Sequence, residues 1–502
     1  MTRNRKLIEN IIYVLQIPYI AVLNFFFQLT KGVGEKVKNA IIGICCFALV
    51  IYPALNYSDF LSDIIDDYNY KMLLISVLVI FLALFGMKEK VKHVAWKPMF
   101  TVVYYLFAIS ILVARYHHSL ANGYTMFALF LLIVLPAYTL VWNNRNDYRQ
   151  LFDWLAFAMV VVGLGFYVGS LIVWPYAPYF FFDGRYTGLT TNPNLLGMIF
   201  ACVLVGACYL LYRSKHMIIS VISLGMAVSM LYLSESRTAM LASVLAIIAE
   251  IICYLRKREA DRIPGKRAVF AIGLTVLITV GSVIALSAPV KYFSYYGIEQ
   301  IKQNFDSGNK FTLEECDENG IKIGDTSKVN LEMSYRTADY KDVFEIDRVA
   351  NADTPSALNR WQKNTDINAF GSGRVALYKW VIQHTTLWGV DREKNPVDVY
   401  GIKYTGTHNT VLDYAYQCGW FSGILCFLIK LSTIIFVIRF LFGKRMIQKG
   451  TLLAVMLVLI YAVESTLEIQ TIPSTRDVTC YFYLMLPVLF MGIEKASQKR
   501  RI

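Results

Sequence analysis

Charged residues are scarce: they make up 17% of this 502-residue chain, against roughly 25% in an ordinary soluble domain. That shortage excludes soluble enzymes, secreted disulfide scaffolds and disordered proteins. No CxxC pair and no His/Cys metal-ligand spacing occurs among the nine cysteines. Cys45, Cys46, Cys202, Cys208, Cys253, Cys418, Cys426 and Cys480 lie in or beside apolar blocks, and Cys316 alone falls in a long polar segment. They read as small packing residues, so neither a redox framework nor a metal centre is expected. Internal repeats and low-complexity tracts are absent too. No small-residue cleavage site follows the first apolar block, which argues against reading it as a signal peptide.

What is abundant is apolar. Hydrophobic residues are 56% of the chain and mean hydropathy is +0.47. They fall in blocks long enough, at about 1.5 Å per helical residue, to cross a hydrocarbon layer of ~30 Å. The fold class is therefore an all-α polytopic membrane protein. Twelve spans are predicted, over 39–55, 71–87, 99–114, 122–142, 151–174, 195–212, 217–234, 238–255, 268–288, 410–442, 451–470 and 478–493. Alternate connections differ sharply in Lys and Arg: one set, with both termini, holds 27, whereas the short loops of the other hold four, Arg115, Arg185, Arg237 and Arg476. Basic connections stay in the cytoplasm, so both termini are expected there, as twelve spans require. The formal net charge of +13 is thus a topology signal and implies no nucleic-acid partner.

Residues 7–29 form a further apolar block, interrupted by Glu9, Asn10, Pro18 and Asn24 and flanked by basic residues. A span here would break the parity, so an interfacial helix on the cytoplasmic face is expected. The chain then divides into 1–38 with this helix, spans one to nine over 39–288, a large extracytoplasmic loop at 289–409 between spans nine and ten, and spans ten to twelve with a basic tail over 410–502. The loop holds 15 basic and 17 acidic residues. Its first half, 303–350, is polar and irregular and reads as a decoration. Further on, Ser372 is expected to cap a helix carrying Arg374, Leu377, Trp380, Val381 and His384 on one face.

Arginines on the outer side need an explanation. Arg185 sits between Gly184 and Gly188, just before Asn192-Pro193-Asn194, where Asn194 is expected to cap span six with its amides facing outward. Arg237 stands at the mouth of spans seven and eight, a costly place for a cation unless it lines a cavity or meets an anion. His408 and Asn409 open span ten. Taken singly, Arg185 and Arg237 fit headgroup anchors equally well, and Arg374 could pair with a loop carboxylate such as Asp366. Arg115, Arg476 and Glu464 read as structural, and Lys430 with Glu250 as a buried pair in the inner halves of their spans.

The segments GRYTGLTTNPNLLG (184–197), SESRTAML (234–241), GSGRVALYKWVIQH (371–384), LWGV (387–390) and THNTVLDYAYQCGWFSGIL (407–425) together resemble the O-antigen ligase and O-unit (Wzy-type) polymerase family of bacterial envelope glycosyltransferases. The resemblance covers about 150–440. The family's usual Gly-x-Gly after the loop helix is here Trp388-Gly389-Val390-Asp391, and 303–350 has no recognised counterpart.

The resemblance implies transfer of glycan from an undecaprenyl-diphosphate-linked oligosaccharide, on the outer face of a bacterial inner membrane, to an acceptor glycan. Neither metal nor other cofactor is implied. Such a reaction needs a group to hold the departing diphosphate and a group to take the acceptor's proton. Arg185, Arg237 and Arg374 suit the first task, because guanidinium forks bind phosphate oxygens in pairs. His408 suits the second, an imidazole ordinarily titrating near pH ~6.5. Asn192, Asn194 and Asn409 are expected at the substrate, and Asp413, one turn beyond His408, to orient the ring. Nothing resembles the carboxylate pair of a retaining hydrolase. A polymerase acting on a lipid-linked repeat is expected, with an O-antigen ligase acting on a lipid core or wall glycan as the alternative. A lipid-linked sugar flippase, which would call for repeated halves and broken helices, is the alternative from another class.

Overall fold

The computed structural model describes residues 3–55, 68–117, 122–145, 147–173, 181–182, 185–190, 192–213, 215–256, 273–274, 276–281, 374–392, 395–399, 402–404, 406–443, 451–474 and 476–491. Helices dominate: α1 (Arg3–Thr30), α2 (Glu35–Leu55), α3 (Tyr68–Gly86), α4 (Pro98–His117), α5 (Asn122–Leu129), α6 (Leu135–Arg145), α7 (Arg149–Val173), α8 (Pro193–Tyr212), α9 (Met217–Ser234) and α10 (Arg237–Leu255). After them come α11 (Arg374–His384), α12 (Thr410–Phe442), α13 (Thr451–Leu467), α14 (Asp477–Leu484) and α15 (Leu486–Met491). A π-helical turn, Phe130–Val134, joins α5 to α6 without breaking the span. Two small antiparallel hairpins complete the described chain, β1 (Phe181–Phe182) with β2 (Arg185–Tyr186), and β3 (Val397–Val399) with β4 (Ile402–Tyr404).

The all-α polytopic membrane fold is as expected. Ten helices among the described residues have the length and apolarity to cross a membrane, and nine of them coincide with expected spans. The tenth is Leu7–Thr30 within α1. Its interior polar residues are matched to the basic segment 88–97: Gln16 exchanges two hydrogen bonds with the Val94 backbone (2.8 and 3.0 Å) and Asn24 two with Val91 (3.1 and 2.8 Å). The span expected at 451–470 is a shorter apolar helix, Thr451–Leu467. The one expected at 478–493 is divided at Met485, because Pro487 brings no amide donor to the next turn. Most of 268–288, all of 303–350, Ser372 and Cys316 lie outside the described residues.

Helix α8 is the axis of the molecule, enclosed along nearly its whole length by α7, α9, α10 and α13. Gly197 allows one of these close approaches: a Cβ there would lie 2.6 Å from the Ser236 Cβ and 3.0 Å from that of Ala239. The start of α8 is thereby pressed against the start of α10, as small residues permit between membrane helices.

The other architectural feature is in α12. Gly419, with φ 90° and ψ 160°, interrupts it, and the chain bends back so that Gly423 packs on Ala415, a built Cβ reaching 2.6 Å from the alanine methyl. Residues eight apart in a straight helix would be separated by about 12 Å. The loop after α11 fills the break. Val390 N donates to Tyr416 O (2.7 Å) and Trp420 N to Thr386 O (3.2 Å). Gly389, at φ 94°, lies against the Gln417 carbonyl, so neither glycine has room for a side chain. This is the structural use of the Trp388-Gly389-Val390 sequence.

Candidate functional site

Four stretches distant in sequence meet at the end of the bundle where α8, α10 and α12 begin and α13 ends. Each is brought there by a local device. Asn192 caps α8, its side chain accepting from Asn194 N at 2.8 Å, with Pro193 as the first helical residue. The cap is therefore Asn192 and not Asn194, because an extended residue must precede the proline. Ser236 caps α10, accepting from Ala239 N, and so fixes Arg237 as the first residue of that helix. Asn409 caps α12, accepting from Val411 N and Leu412 N at 3.0 and 3.1 Å. Two left-handed residues that are not glycine, Glu235 (φ 47°) and His408 (φ 49°), immediately precede the last two caps. Such backbone is sparsely populated and persists where its surroundings hold it.

Glu468, one residue past α13, joins these stretches. Its Oε1 accepts from Arg374 Nη2 at 2.7 Å and from Asn194 Nδ2 at 3.5 Å. Its Oε2 lies 3.2 Å from His408 Nδ1. The backbone is tied as well, since Glu468 O accepts from Thr410 Oγ1 at 3.2 Å. Burial pushes the Glu468 carboxyl up, but the hydrogen bond with His408 and the charges of Arg374 and Arg476 outweigh it, and the group sits below the ordinary carboxylate range. It is therefore the anionic partner in the cluster. Tyr378, from the next turn of α11, donates to His408 O at 2.9 Å and fixes the strained backbone from the loop side.

The imidazole itself is the open member, with a side chain 37% exposed against 18% for Glu468. With Nδ1 directed at a carboxylate, Nε2 is the ring nitrogen left for a further partner, the arrangement by which an acid orients a histidine base.

Of the expected site residues, Arg374, His408 and Asn194 thus come together, with Asn192 as the cap beneath. Asn409 serves two structural ends, capping α12 and donating to Thr466 O at 2.9 Å. Arg237 is half-buried at the head of α10, beside α8. The backbone of Arg185 lies in β2, which rests on α9; its side chain is outside the description. Asp413 does not orient His408. It is buried on the core side of the first turn of α12, where it accepts from Gln417 Nε2 (2.7 Å) and Thr407 Oγ1 (3.4 Å), whereas His408 precedes the cap in left-handed backbone and turns its ring to Glu468. Arg374, expected at the substrate with a loop carboxylate such as Asp366 as the alternative partner, pairs with Glu468.

The residues missed in the sequence are Glu468, Tyr378 and Lys430. The expected Lys430–Glu250 pair does not form: Lys430 Nζ bonds Thr466 Oγ1, and Glu250 shares a hydrogen bond with Cys208. The bend at Gly419 is the cause. It returns α12 toward its own start, so Lys430 stands beside the residue that receives Asn409. A Glu closing an apolar block was the available signal for Glu468, but its three partners are 60 to 274 positions away. Among the described residues no group of His, Cys, Asp and Glu has the arrangement of a metal site.

Residues 222–428 match the family model described as O-antigen ligase (Wzy_C), a stretch that contains Arg237, Arg374 and His408. No curated protein and no solved structure matches the chain. The stretch 222–428 is thus similar to an O-antigen ligase domain, within a polytopic all-α membrane protein.

Proposed function

We propose that the protein transfers glycan from an undecaprenyl-diphosphate-linked donor to the hydroxyl of a second, lipid-linked repeat unit, on the extracytoplasmic face of a bacterial inner membrane. The observation that carries this reading is the His408–Glu468–Arg374 cluster at the head of α12. Glu468 holds the His408 ring with Nε2 free to accept the acceptor hydroxyl's proton. The acceptor oxygen forms its bond to the anomeric carbon as the bond from that carbon to the diphosphate oxygen breaks, and the lipid diphosphate leaves with the electron pair. Attack opposite the leaving group inverts the anomeric configuration.

Charge builds on the diphosphate, so cations stabilise the transition state more than the ground state. Arg374 is engaged by Glu468, which makes it a positioning residue. The diphosphate falls to Arg237 and Arg185, with Lys430 as a further cation near the cluster. The broken helix α12 is a feature that a transporter would also have, but the family match at 222–428 supports transfer of glycan.

The test is reconstitution of the purified protein in vesicles with lipid-linked repeat as the sole glycan. A ladder of longer lipid-linked products, with release of polyprenyl diphosphate, is expected. Product formed only after a different glycan is supplied would replace the polymerase with a ligase. Movement of the lipid across the bilayer with no new glycosidic bond would overturn both.

A further inference from the structure

At the opposite end of the bundle from Glu468, α7 and α8 border a cavity of about 530 Å³. Asn194 and Leu210, at the two sites, are sixteen residues apart in α8, a separation of about 24 Å along the helix. Lys88, Arg145, Arg149, Arg213 and Lys215 line this cavity, against Asp147 and Asp153. Both aspartates are already engaged. Asp147 pairs with Arg149 at 2.5 Å, and Asp153 receives Lys215 at 2.6 Å, Arg213 at 3.3 Å and the Tyr209 hydroxyl at 3.2 Å. The cavity therefore carries a surplus of three positive charges.

It opens directly onto an apolar groove of about 610 Å³. Phe157 and His216 belong to both, their rings stacked with centroids 4.7 Å apart, and Leu164, Met217, Ile219 and Ile222 continue the groove along α7 and α9. His216 takes a left-handed backbone (φ 48°) at the junction. A cationic head chamber leading into an apolar channel along membrane helices has the shape of an amphiphile. Its anionic end must lie beside the basic connections 88–97, 143–150 and 213–216, the end that the Lys and Arg bias assigns to the cytoplasm.

We infer that this cavity binds an acidic glycerophospholipid of that leaflet, its phosphate diester among Lys88, Arg149 and Lys215 and one acyl chain in the groove from Phe157 to Ile222. Two features favour a lipid over a free anion. The charge surplus is continuous with an apolar channel, and Ile218 at its edge is 79% exposed, as expected of a side chain facing acyl chains. Clustered Lys and Arg at a membrane surface select anionic headgroups, and guanidinium forks suit phosphate oxygens. The inference is independent of the transfer reaction.

Native mass spectrometry of the purified full chain tests it, with dioleoylphosphatidylglycerol and dioleoylphosphatidylcholine supplied in equal amounts and inorganic phosphate added in a parallel arm. Retention of the glycerol lipid over the choline lipid is expected, undiminished by phosphate. Lys88→Gln with Lys215→Gln should reduce that preference by about fivefold per lysine while leaving the melting temperature within a few degrees of wild type. Equal retention of both lipids by the wild-type protein overturns the inference, whether or not the variant folds. So does an undiminished preference in the folded variant. Displacement of the lipid by phosphate alone reduces the cavity to a simple anion site and also overturns it.

Discussion

His408 Nδ1 and Glu468 Oε2 stand 3.2 Å apart, bringing together the start of α12 and the end of α13. The other carboxylate oxygen is held by Arg374 of the loop helix α11 at 2.7 Å. One acid therefore sets the orientation of the ring and ties the loop to the membrane helices at once.

Glu468→Gln keeps the size of the side chain and removes its charge. The ring loses its charge-assisted partner, a hydrogen bond of a kind worth ~1.5–3 kcal/mol. Turnover is expected to fall by about 10- to 100-fold, with little change in affinity for the lipid donor. Steady-state kinetics on the purified variant check this, and unchanged turnover would remove Glu468 from the mechanism.

The same residue sets an acid limit. Its carboxyl is depressed in the folded state, so it stabilises the fold at pH values above the unfolded glutamate value of about 4.3. That contribution is lost as pH falls through the lower folded value. Melting temperatures of wild type and Glu468→Gln should differ at pH 7 and converge as the pH is taken below about 4. A gap of constant size across that range would contradict the ion-pair account.

Gly419→Ala tests the bend. The backbone at φ 90° and ψ 160° is a region essentially reserved for glycine, costing other residues of order 1–3 kcal/mol. The new methyl would also lie 2.1 Å from the Leu387 carbonyl oxygen. Reduced thermal stability and faster proteolysis in the loop 385–391 are expected. A variant as stable and as protease-resistant as wild type would show that the loop is not docked on the bend.

Sidedness is tested with thiol chemistry. All eight cysteines among the described residues are buried, and Cys316 of the polar segment is the ninth. An impermeant maleimide added to intact cells should label Cys316 and spare a cysteine introduced at Lys257. The reverse pattern would invert the topology and place the His408 cluster on the cytoplasmic side.

Helix positions were largely legible in the sequence. The expected spans 217–234 and 410–442 coincide with α9 and α12, and 195–212 and 238–255 differ from α8 and α10 by one or two residues, because an uninterrupted apolar run fixes a membrane helix directly. The bend inside 410–442 was hidden because Gly419 sits within one long, largely apolar stretch, and only the loop carbonyls packed against it reveal its conformation. Arg374, His408 and Asn194 were legible as polar residues at an outer mouth. Their common partner was not, since a hydrogen bond from residue 194 to residue 468 leaves no periodic trace. Asp413 was misread because proximity in sequence stood in for direction: it faces the core beside Gln417, while the left-handed backbone at His408 turns the ring away.

The account rests most heavily on His408 as the proton acceptor. The direct test is single-turnover transfer by purified His408→Ala, with binding of the lipid-linked donor measured on the same preparation. General-base assistance is worth about 10²–10⁴-fold. The variant is expected to bind donor as wild type does and to form product slower by that factor, whereas His384→Ala, whose ring stacks on Trp380 at 4.0 Å in the loop helix, should retain its rate. Wild-type product formation by His408→Ala would contradict the assignment.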